Sequence, residues 1–396
     1  MTSLSPGSDA NPMRILMVSE RFSPDLGGVA VSTTRIAEAL VGIGMDVEVL
    51  AWSRRLPAGQ METTGGDDRL RPTVHRLGRF GSWDATLQHT MIALEWLHGQ
   101  DPFDAAWGHY LVPAGFVAVL FAESVGIAST VSARGNDVDR LAFPPGDFAR
   151  LQWTLQRASV VTAVSRELAR KVEVLLGEDQ SVHVLPNSVD GKVFVAARED
   201  GVRERLGVRP GELVLGFCGE LREKKGMSFL LAAFREIRQR REACLLVIGE
   251  VRPREQSKLT EFAVESPDAA ERILVTEHLE TAAEVASCLN VCDIVLQPSL
   301  WDGMPNSVLE AMACGRVVLG SDAGGMPEVI DHDATGFLVP RVQLGALGVA
   351  IEEVAGLSDS RRAEIGAAAA KHVRTHFNAE VEATALAEIV ARLRAV

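Results

Sequence analysis

The chain has 396 residues, 47% of them apolar, which is too long for one ordinary core and suits two α/β domains of similar size. Its formal charge of −13 excludes a general nucleic-acid-binding face, which needs a basic surface, but leaves room for a local basic pocket around a phosphate. No stretch approaches the roughly 18 uninterrupted apolar residues of a membrane helix, so a cytoplasmic protein with at most peripheral membrane contact is expected, monomeric or homodimeric.

Residues 1–12 (MTSLSPGSDANP) are polar and rich in Ser, Gly and Pro, and read as a disordered leader. Arg14 to Ser19 is a short apolar strand, Gly27–Gly28 sit in a tight loop, Thr33 to Val41 has helical spacing, and Asp46 to Ala51 returns as a strand. This is the opening of a Rossmann-like domain, although the loop lacks the G-x-G-x-x-G spacing of a dinucleotide fingerprint. Residues 54–72 read as a polar loop before a strand at Val74 to Leu77, and Trp83 to His98 as an amphipathic helix whose acidic opposite face disfavours a membrane surface. His109 ends a strand and precedes the small-residue helix Ala114 to Ser124. It thus lies at the carboxyl edge of a parallel sheet, where open α/β folds bind ligands. The strand Ala128 to Ala133 runs into Arg134–Gly135–Asn136–Asp137, a polar turn suited to sugar contacts. A strand at Ala158 to Ala163, a helix capped by Ser165 and the turn Pro186 to Asp190 close the first half.

The second half repeats the pattern. Leu213 to Phe217 is a buried strand, Gly219 opens the turn GELREKKG, and Ser228 to Arg238 is a helix, so Arg222, Lys224 and Lys225 gather near a helix N-terminus. In an acidic chain, cations at a Rossmann-type strand end point to a diphosphate. Strands at Leu245 to Gly249 and Arg272 to Val275 follow, with a helix at Glu255 to Val264 between them and another at Ala282 to Asn290 after them. Then comes the densest stretch, DIVLQPSLWDGMPNSVLEAMACGRVVLGSDAGGMPEVID from Asp293 to Asp331. It holds a strand, a loop with Asp302, Gly303, Met304 and Pro305, a helix from Asn306 to Ala313, and a second strand. Backbone N–H groups at the helix start lack intrahelical partners and suit a phosphate or a sugar hydroxyl. Glu310 sits two turns further along an otherwise apolar helix, where a carboxylate needs a partner. A strand at Gly336 to Val339 and helices at Val342 to Val354, Ser360 to His376 and Glu380 to Leu393 complete the chain. The five cysteines all fall in apolar segments of this half and read as buried free thiols, not metal ligands.

The string PSLWDGMPNSVLEAMACG followed by SDAGGMPEV resembles the donor-site signature of the retaining glycosyltransferases of family 4, which have the B-type fold of two Rossmann-like domains facing a crevice. The resemblance implies that Asp302 contacts the transferred sugar and Glu310 the nucleotide ribose, with Gly303, Met304, Pro305 and Asn306 lining the donor site. The family's usual first acid is Glu, one methylene longer than Asp302. GHYLVPAG carries His109 where the family has a His at the reaction centre. RGND looks like the family's RGSD or HGxD turn, which marks Arg134, Asn136 and Asp137 as sugar or acceptor contacts. Gly27, Gly28 and Gly219 fall on loops near the donor phosphates. Lys225 matches the Lys that neutralises the leaving diphosphate, whereas Glu220 stands where the partner Arg usually is, so Arg222 would substitute for it. Thr276 to Leu279 would border the base.

The resemblance implies a hexosyltransferase-type enzyme that moves a sugar from a UDP- or GDP-type donor to a hydroxyl of a small molecule, lipid or glycan. It does so with retention, by a front-face displacement, and with no cofactor or essential metal. The expected layout is a leader over 1–12, an acceptor domain over 13–194, a donor domain over 195–376, and a last helix, 377–396, packing back on the first domain. Two rivals remain at this stage: a sugar-nucleotide hydrolase or epimerase of the same fold, and a non-catalytic nucleotide-sugar-binding protein.

Overall fold

The protein is described by a computed structural model covering residues 12–25, 27–66, 71–135, 137–177, 181–197 and 201–396. The expected leader, apart from Pro12, and Asn136 lie outside the described residues.

The first half forms strands β1 (Arg14–Ser19), β2 (Asp46–Ser53), β3 (Met61–Thr64), β4 (Thr73–Gly78), β5 (Ala105–His109), β6 (Ala128–Ala133), β7 (Val160–Ala163) and β8 (Val182–Val184). Its helices are α1 (Gly28–Gly42), α2 (Trp83–Gln100), α3 (Phe116–Val125), α4 (Asp137–Leu141), α5 (Pro145–Arg157) and α6 (Arg166–Leu176). The sheet runs β3-β4-β2-β1-β5-β6-β7-β8, parallel throughout except for β3, which pairs antiparallel with β4. The second half has α7 (Val202–Arg205), β9 (Leu213–Cys218), α8 (Met227–Arg238), β10 (Ala243–Ile248), α9 (Gln256–Glu265), α10 (Pro267–Ala270), β11 (Ile273–Val275), α11 (Ala282–Asn290) and β12 (Ile294–Gln297). It continues with α12 (Asn306–Ala313), β13 (Val317–Ser321), α13 (Met326–Val329), β14 (Phe337–Val339), α14 (Leu347–Ala355), α15 (Asp359–His376) and α16 (Ala379–Arg394). This sheet is all parallel in the order β11-β10-β9-β12-β13-β14. The chain is therefore an α/β protein of two Rossmann-like sheets.

Parallel strands buried on both faces need continuous apolar runs, and β10 (ACLLVI) and β1 (RILMVS) supply them, with Leu245, Leu246, Val247, Ile15, Leu16 and Met17 fully buried. Each such side chain contributes about 1.5–3 kcal/mol on burial. The last helix, α16, places Leu386, Ile389, Val390 and Leu393 in the same apolar cluster as Ile15, Met17, Ile36 and Leu40, on the first sheet. Asn378 caps it, its side chain accepting from the N–H groups of Glu380 and Val381 at 2.9 and 3.0 Å.

Three expectations need correction. Residues 54–72 are not simply a loop: β3 pairs with β4 there, and its short, mostly exposed METT run carries too little hydrophobicity to announce a strand. The expected helix from Val342 begins as a 3-10 turn over Arg341–Ala346 and becomes α-helical only at Leu347, because Gly345 interrupts the run. The segment after the RGND turn, given no helix in the sequence reading, contains α5. This helix buries Leu151, Thr154 and Leu155 and starts with Pro145 at its first turn.

Candidate active site

Both sheets end, at their carboxyl edges, in the loops that carry the expected functional residues. In the second half, β12 leads into Pro298–Pro305 and β9 into Gly219–Gly226, and these two loops are stapled together. Lys225 Nζ lies 2.5 Å from Asp302 Oδ2. Ser299 Oγ donates to the same carboxylate at 3.2 Å and the Gly303 N–H to its other oxygen at 3.0 Å. Burial pulls the Asp302 carboxyl up, but Lys225, Lys224 and the Gly303 N–H outweigh it and hold the group below its ordinary value. Beside it, burial lowers the Lys224 ammonium to about 8 despite the attraction of Asp302.

The turn holding Lys225 depends on a glycine. Gly226 has φ +80°, and a Cβ there would lie 1.9 Å from the Pro298 carbonyl oxygen, so only Gly lets the two loops approach. The sequence reading brought Arg222, Lys224 and Lys225 together at the start of α8. Lys225 instead turns to Asp302, and Arg222 pairs with Glu220 at 3.0 Å. A helix N-terminus is the positive end of its dipole, so neighbouring cations gain by turning toward acids. Arg222 Nε is buried and has no partner among the described residues.

Helix α12 starts after Pro305 with no side-chain cap, and Asn306 Oδ1 is buried without a partner among the described residues. Glu310 is half-buried in this helix between Leu309 and Ala311. Its carboxylate has no hydrogen-bond or ion-pair partner among the described residues, and burial pushes it up to about 7, with Arg35 pulling the other way. Gly219, at φ +127°, donates its N–H to the Ile248 carbonyl at 2.9 Å.

In the first half, His109 is fully buried at the end of β5, and burial, then Arg134 and Arg35, push its imidazolium well below the ordinary range, so it is neutral. Its Nε2 lies 2.8 Å from Ser32 Oγ, which donates to the Val29 carbonyl at 3.1 Å. Ser32 Oγ and His109 Nε2 share one hydrogen bond, whose donor is set by the imidazole tautomer. Nδ1 is buried and has no partner among the described residues. Gly27, at φ +106°, immediately precedes α1, and Gly28 is its first residue, so Ser32 and Arg35 project from the opening turns of that helix.

Arg134 and Asp137, expected as sugar or acceptor contacts, have their side chains engaged inside the fold. Arg134 is 7% exposed and donates to the Leu185 carbonyl and to Asn187 Oδ1. Asp137 accepts from the backbone N–H groups of Leu111, Arg134 and Gly135 at 3.4, 3.3 and 3.1 Å. A short acid after a strand satisfies its own turn more easily than it reaches a ligand.

The two halves meet closely at this point. A Cβ on Gly303 would lie 2.2 Å from the Arg134 carbonyl oxygen, and Asn187 Nδ2 donates to the Met304 carbonyl at 2.6 Å. Glu328 Oε1 accepts from the N–H of Arg166 at 2.7 Å, at the start of α6. Asn187 also accepts from Arg35 Nη2 at 2.8 Å, while Arg35 Nε bonds both oxygens of Glu382 at 3.0 Å and Ser188 Oγ donates to Glu382 at 2.6 Å. The sequence reading missed Arg35, Asn187, Glu382 and Tyr110 as residues of this region. Only Asn187, in its PNSVD turn, had a local signal. The five cysteines are buried thiols. Among the described residues no group of three or more His, Cys, Asp or Glu is placed to hold a metal, and no helix is long and apolar enough to cross a membrane.

Comparison with known proteins adds independent findings. The pattern described as Glycosyl transferase 4-like domain matches residues 27–188, and that described as Glycosyl transferases group 1 matches residues 212–356. The chain is 23% identical to N-acetyl-alpha-D-glucosaminyl L-malate synthase of Bacillus anthracis over 90% of this chain and 92% of that protein. It is 27% identical to D-inositol 3-phosphate glycosyltransferase of Pseudarthrobacter chlorophenolicus, over 82% and 83%. A shorter match, 32% identical over 57% of this chain and 56% of the other, is to 2-deoxystreptamine N-acetyl-D-glucosaminyltransferase of Streptomyces fradiae. Among solved structures, sucrose-phosphate synthase from Thermosynechococcus elongatus superposes with a TM-score of 0.81 at 17% identity, covering 97% of this chain and 99% of that one. Anabaena HepE, solved in complex with UDP and glucose, superposes with 0.78 at 19% identity, covering 96% and 99%.

Proposed function

The chain belongs to the group 1, family-4-like glycosyltransferases of the B-type fold, and from that premise we propose that it transfers a hexosyl unit with retention from a UDP- or GDP-type sugar to an acceptor hydroxyl. The observation that carries the proposal is the joined pair of loops in the second half, which brings Lys225, Asp302 and Arg222 to the sheet edge from which α12 starts. In this reading the diphosphate lies against Lys225 and Arg222 and the open N–H groups of α12, the ribose hydroxyls meet Glu310, and the sugar lies toward Asp302 and His109. UDP is the first nucleotide to test, because HepE was solved with it.

The unpartnered polar atoms support the reading. Arg222 Nε, Asn306 Oδ1 and His109 Nδ1 are each buried, at a strand end, on a strand-end loop or at a helix start, and have no partner among the described residues. A buried polar atom left without a partner costs about 1–3 kcal/mol, which a polar ligand recovers.

The proposed step is a front-face displacement. The acceptor O–H attacks the anomeric carbon on the side from which the diphosphate departs. The C–O bond to the phosphate breaks, a new C–O bond forms on the same face, and the acceptor proton passes to the leaving phosphate oxygen. Lys225 and Arg222 stabilise the charge that develops there, and removing one such preorganised donor typically costs roughly 10²–10³ in rate. Neutral His109 offers its unpartnered Nδ1 as a hydrogen-bonding partner for a sugar or acceptor hydroxyl. No metal ion is needed for charge neutralisation in this scheme.

The test is nucleotide release from UDP- and GDP-hexoses, with and without EDTA and with and without an acceptor panel, followed by the anomeric NMR coupling of the product. Acceptor-dependent release with a retained anomer is expected. Release that never depends on an acceptor would favour the hydrolase rival, and an inverted product would overturn the mechanism.

A further inference from the structure

Helix α6 begins just after β7, and its first N–H groups have no carbonyl within the helix to bond. Ser165, the residue before it, covers one of them: its Oγ accepts from the Leu168 N–H at 3.3 Å. The N–H groups of Arg166 and Glu167 are met by a residue of the other half, Glu328, whose Oε1 accepts from them at 2.7 and 3.4 Å. The Glu328 carboxylate has no ion-pair partner among the described residues, so these donors and the positive end of the α6 dipole are what compensate its charge.

Glu328 stands on α13, which follows the Gly324–Gly325 turn, and that turn is bound to the loop after β12. The Gly325 N–H donates to the Gly303 carbonyl at 2.5 Å, and a Cβ on Gly324 would lie 2.3 Å from the Asp302 carbonyl oxygen. The same loop touches the first half beside α6: a Cβ on Gly303 would lie 2.8 Å from a methyl of Val164, which directly precedes Ser165. The loop bearing Asp302 and the helix bearing Glu328 therefore reach the first half at one place, the junction of β7 and α6. The two contacts differ in kind. Gly303 offers backbone packing, which tolerates sliding, whereas a carboxylate on the N–H groups of a helix end fixes both distance and direction.

We propose that Glu328 is a positioning residue for transfer, a latch whose carboxylate docks on the N-terminus of α6 and sets the approach of the two halves at which Asp302 and His109 face one sugar. This rests on the transferase reading above.

The test combines steady-state transfer, UDP affinity by calorimetry, and hydrogen–deuterium exchange at Arg166 and Glu167, all on the full chain. Glu328→Ala is expected to lower kcat roughly 3- to 30-fold, to leave UDP affinity within about twofold of wild type, and to speed exchange at both amides. Glu328→Gln, whose carboxamide oxygen still accepts, is expected to recover most of the lost kcat. Glu328→Lys, which turns a cation on the same dipole, is expected to fall below Glu328→Ala. Ser165→Ala removes the cap that α6 gains from its own half; it is expected to lower the melting temperature and to leave kcat within about twofold of wild type. Wild-type kcat in Glu328→Ala overturns the proposal, as does unchanged exchange at Arg166 in that variant, whatever its kcat. An equal loss of kcat in Glu328→Gln or Ser165→Ala also overturns it, because the effect would then be one of folding stability. Absence of turnover with every sugar nucleotide would sink the transferase reading, and the exchange measurement would then decide the docking of Glu328 on α6 alone.

Discussion

The Asp302 carboxylate and the Lys225 ammonium lie 2.5 Å apart, an ion pair that joins the loop after β12 to the loop after β9. The two side chains are only 13% and 15% exposed, so each is the main compensation for the other's burial. In the proposed reaction, a diphosphate arriving at Lys225 would compete with Asp302 for it and free the acid to turn to the sugar.

Removing one partner should therefore cost more than removing both. Lys225→Met is expected to destabilise the protein by about 3–5 kcal/mol in urea unfolding and to weaken nucleotide binding. The double variant Lys225→Met, Asp302→Asn is expected to recover most of the stability and none of the turnover. Additive losses in stability would show that the pair is not energetically coupled.

Glu310 predicts a pH dependence. In the folded protein burial raises its carboxyl to about 7 from an ordinary value of 4.5, so between these values the folded state holds a proton that the unfolded state has lost. Stability from this group is present below pH 4.5 and is lost as pH rises through 7. Glu310→Gln is expected to raise the melting temperature at pH 8, to leave it nearly unchanged at pH 4, and to weaken nucleotide binding at pH 8 but not at pH 4, where the wild-type carboxyl is already neutral. Wild-type nucleotide affinity should rise between pH 6 and 8, as the carboxylate that accepts the ribose hydroxyls forms. A flat affinity profile in calorimetric titrations would contradict this role.

His109 stays neutral well below its ordinary range, held there by burial, Arg134 and Arg35. The rate profile for kcat should therefore show no His109 ionisation between pH 6 and 8, while His109→Ala lowers kcat at every pH in that window. A profile whose limb near 6.5 disappears in His109→Ala would mean that the imidazole titrates during turnover.

Contact between the halves should matter to kcat as much as to affinity. Gly303→Ala places a methyl group against the Arg134 carbonyl, a backbone atom that cannot step aside easily. Nucleotide binding to the second half is expected to survive in this variant, and transfer to fall at least tenfold. Asn187→Ala removes the bond to Met304 and leaves Arg35 and Arg134 short of an acceptor, at a cost of about 1–3 kcal/mol in stability. Transfer at wild-type rates by both variants would remove the interdomain contact from the mechanism.

What the sequence made legible was local. The alternation of apolar runs with helical spacing gave both sheets, and the loop from Pro298 to Pro305 declared its acids and glycines within a few residues. The partners of those residues were not legible, because they come from far away in the chain: Arg35 meets Glu382 across 347 positions, and Asn187 meets Met304 across 117. The internal partners of Arg134 and Asp137 were hidden for the same reason. Their residue types suit sugar contacts, but Leu185, Asn187 and the turn's own N–H groups claim them first. Tyr110 gave no signal, since a left-handed φ is normally announced by glycine and here a tyrosine bears it.

The central claim, that the second half holds a nucleotide-diphosphate sugar between Lys225 and Glu310, is tested most directly by thermal shift with UDP-, GDP-, ADP- and dTDP-sugars on the wild type, Lys225→Met and Glu310→Gln. Ligands that bind only the folded state raise its melting temperature. A clear rise with one UDP- or GDP-sugar, reduced in both variants and unaffected by EDTA, is the predicted result. No rise with any sugar nucleotide, or a rise that both variants retain in full, would contradict the account.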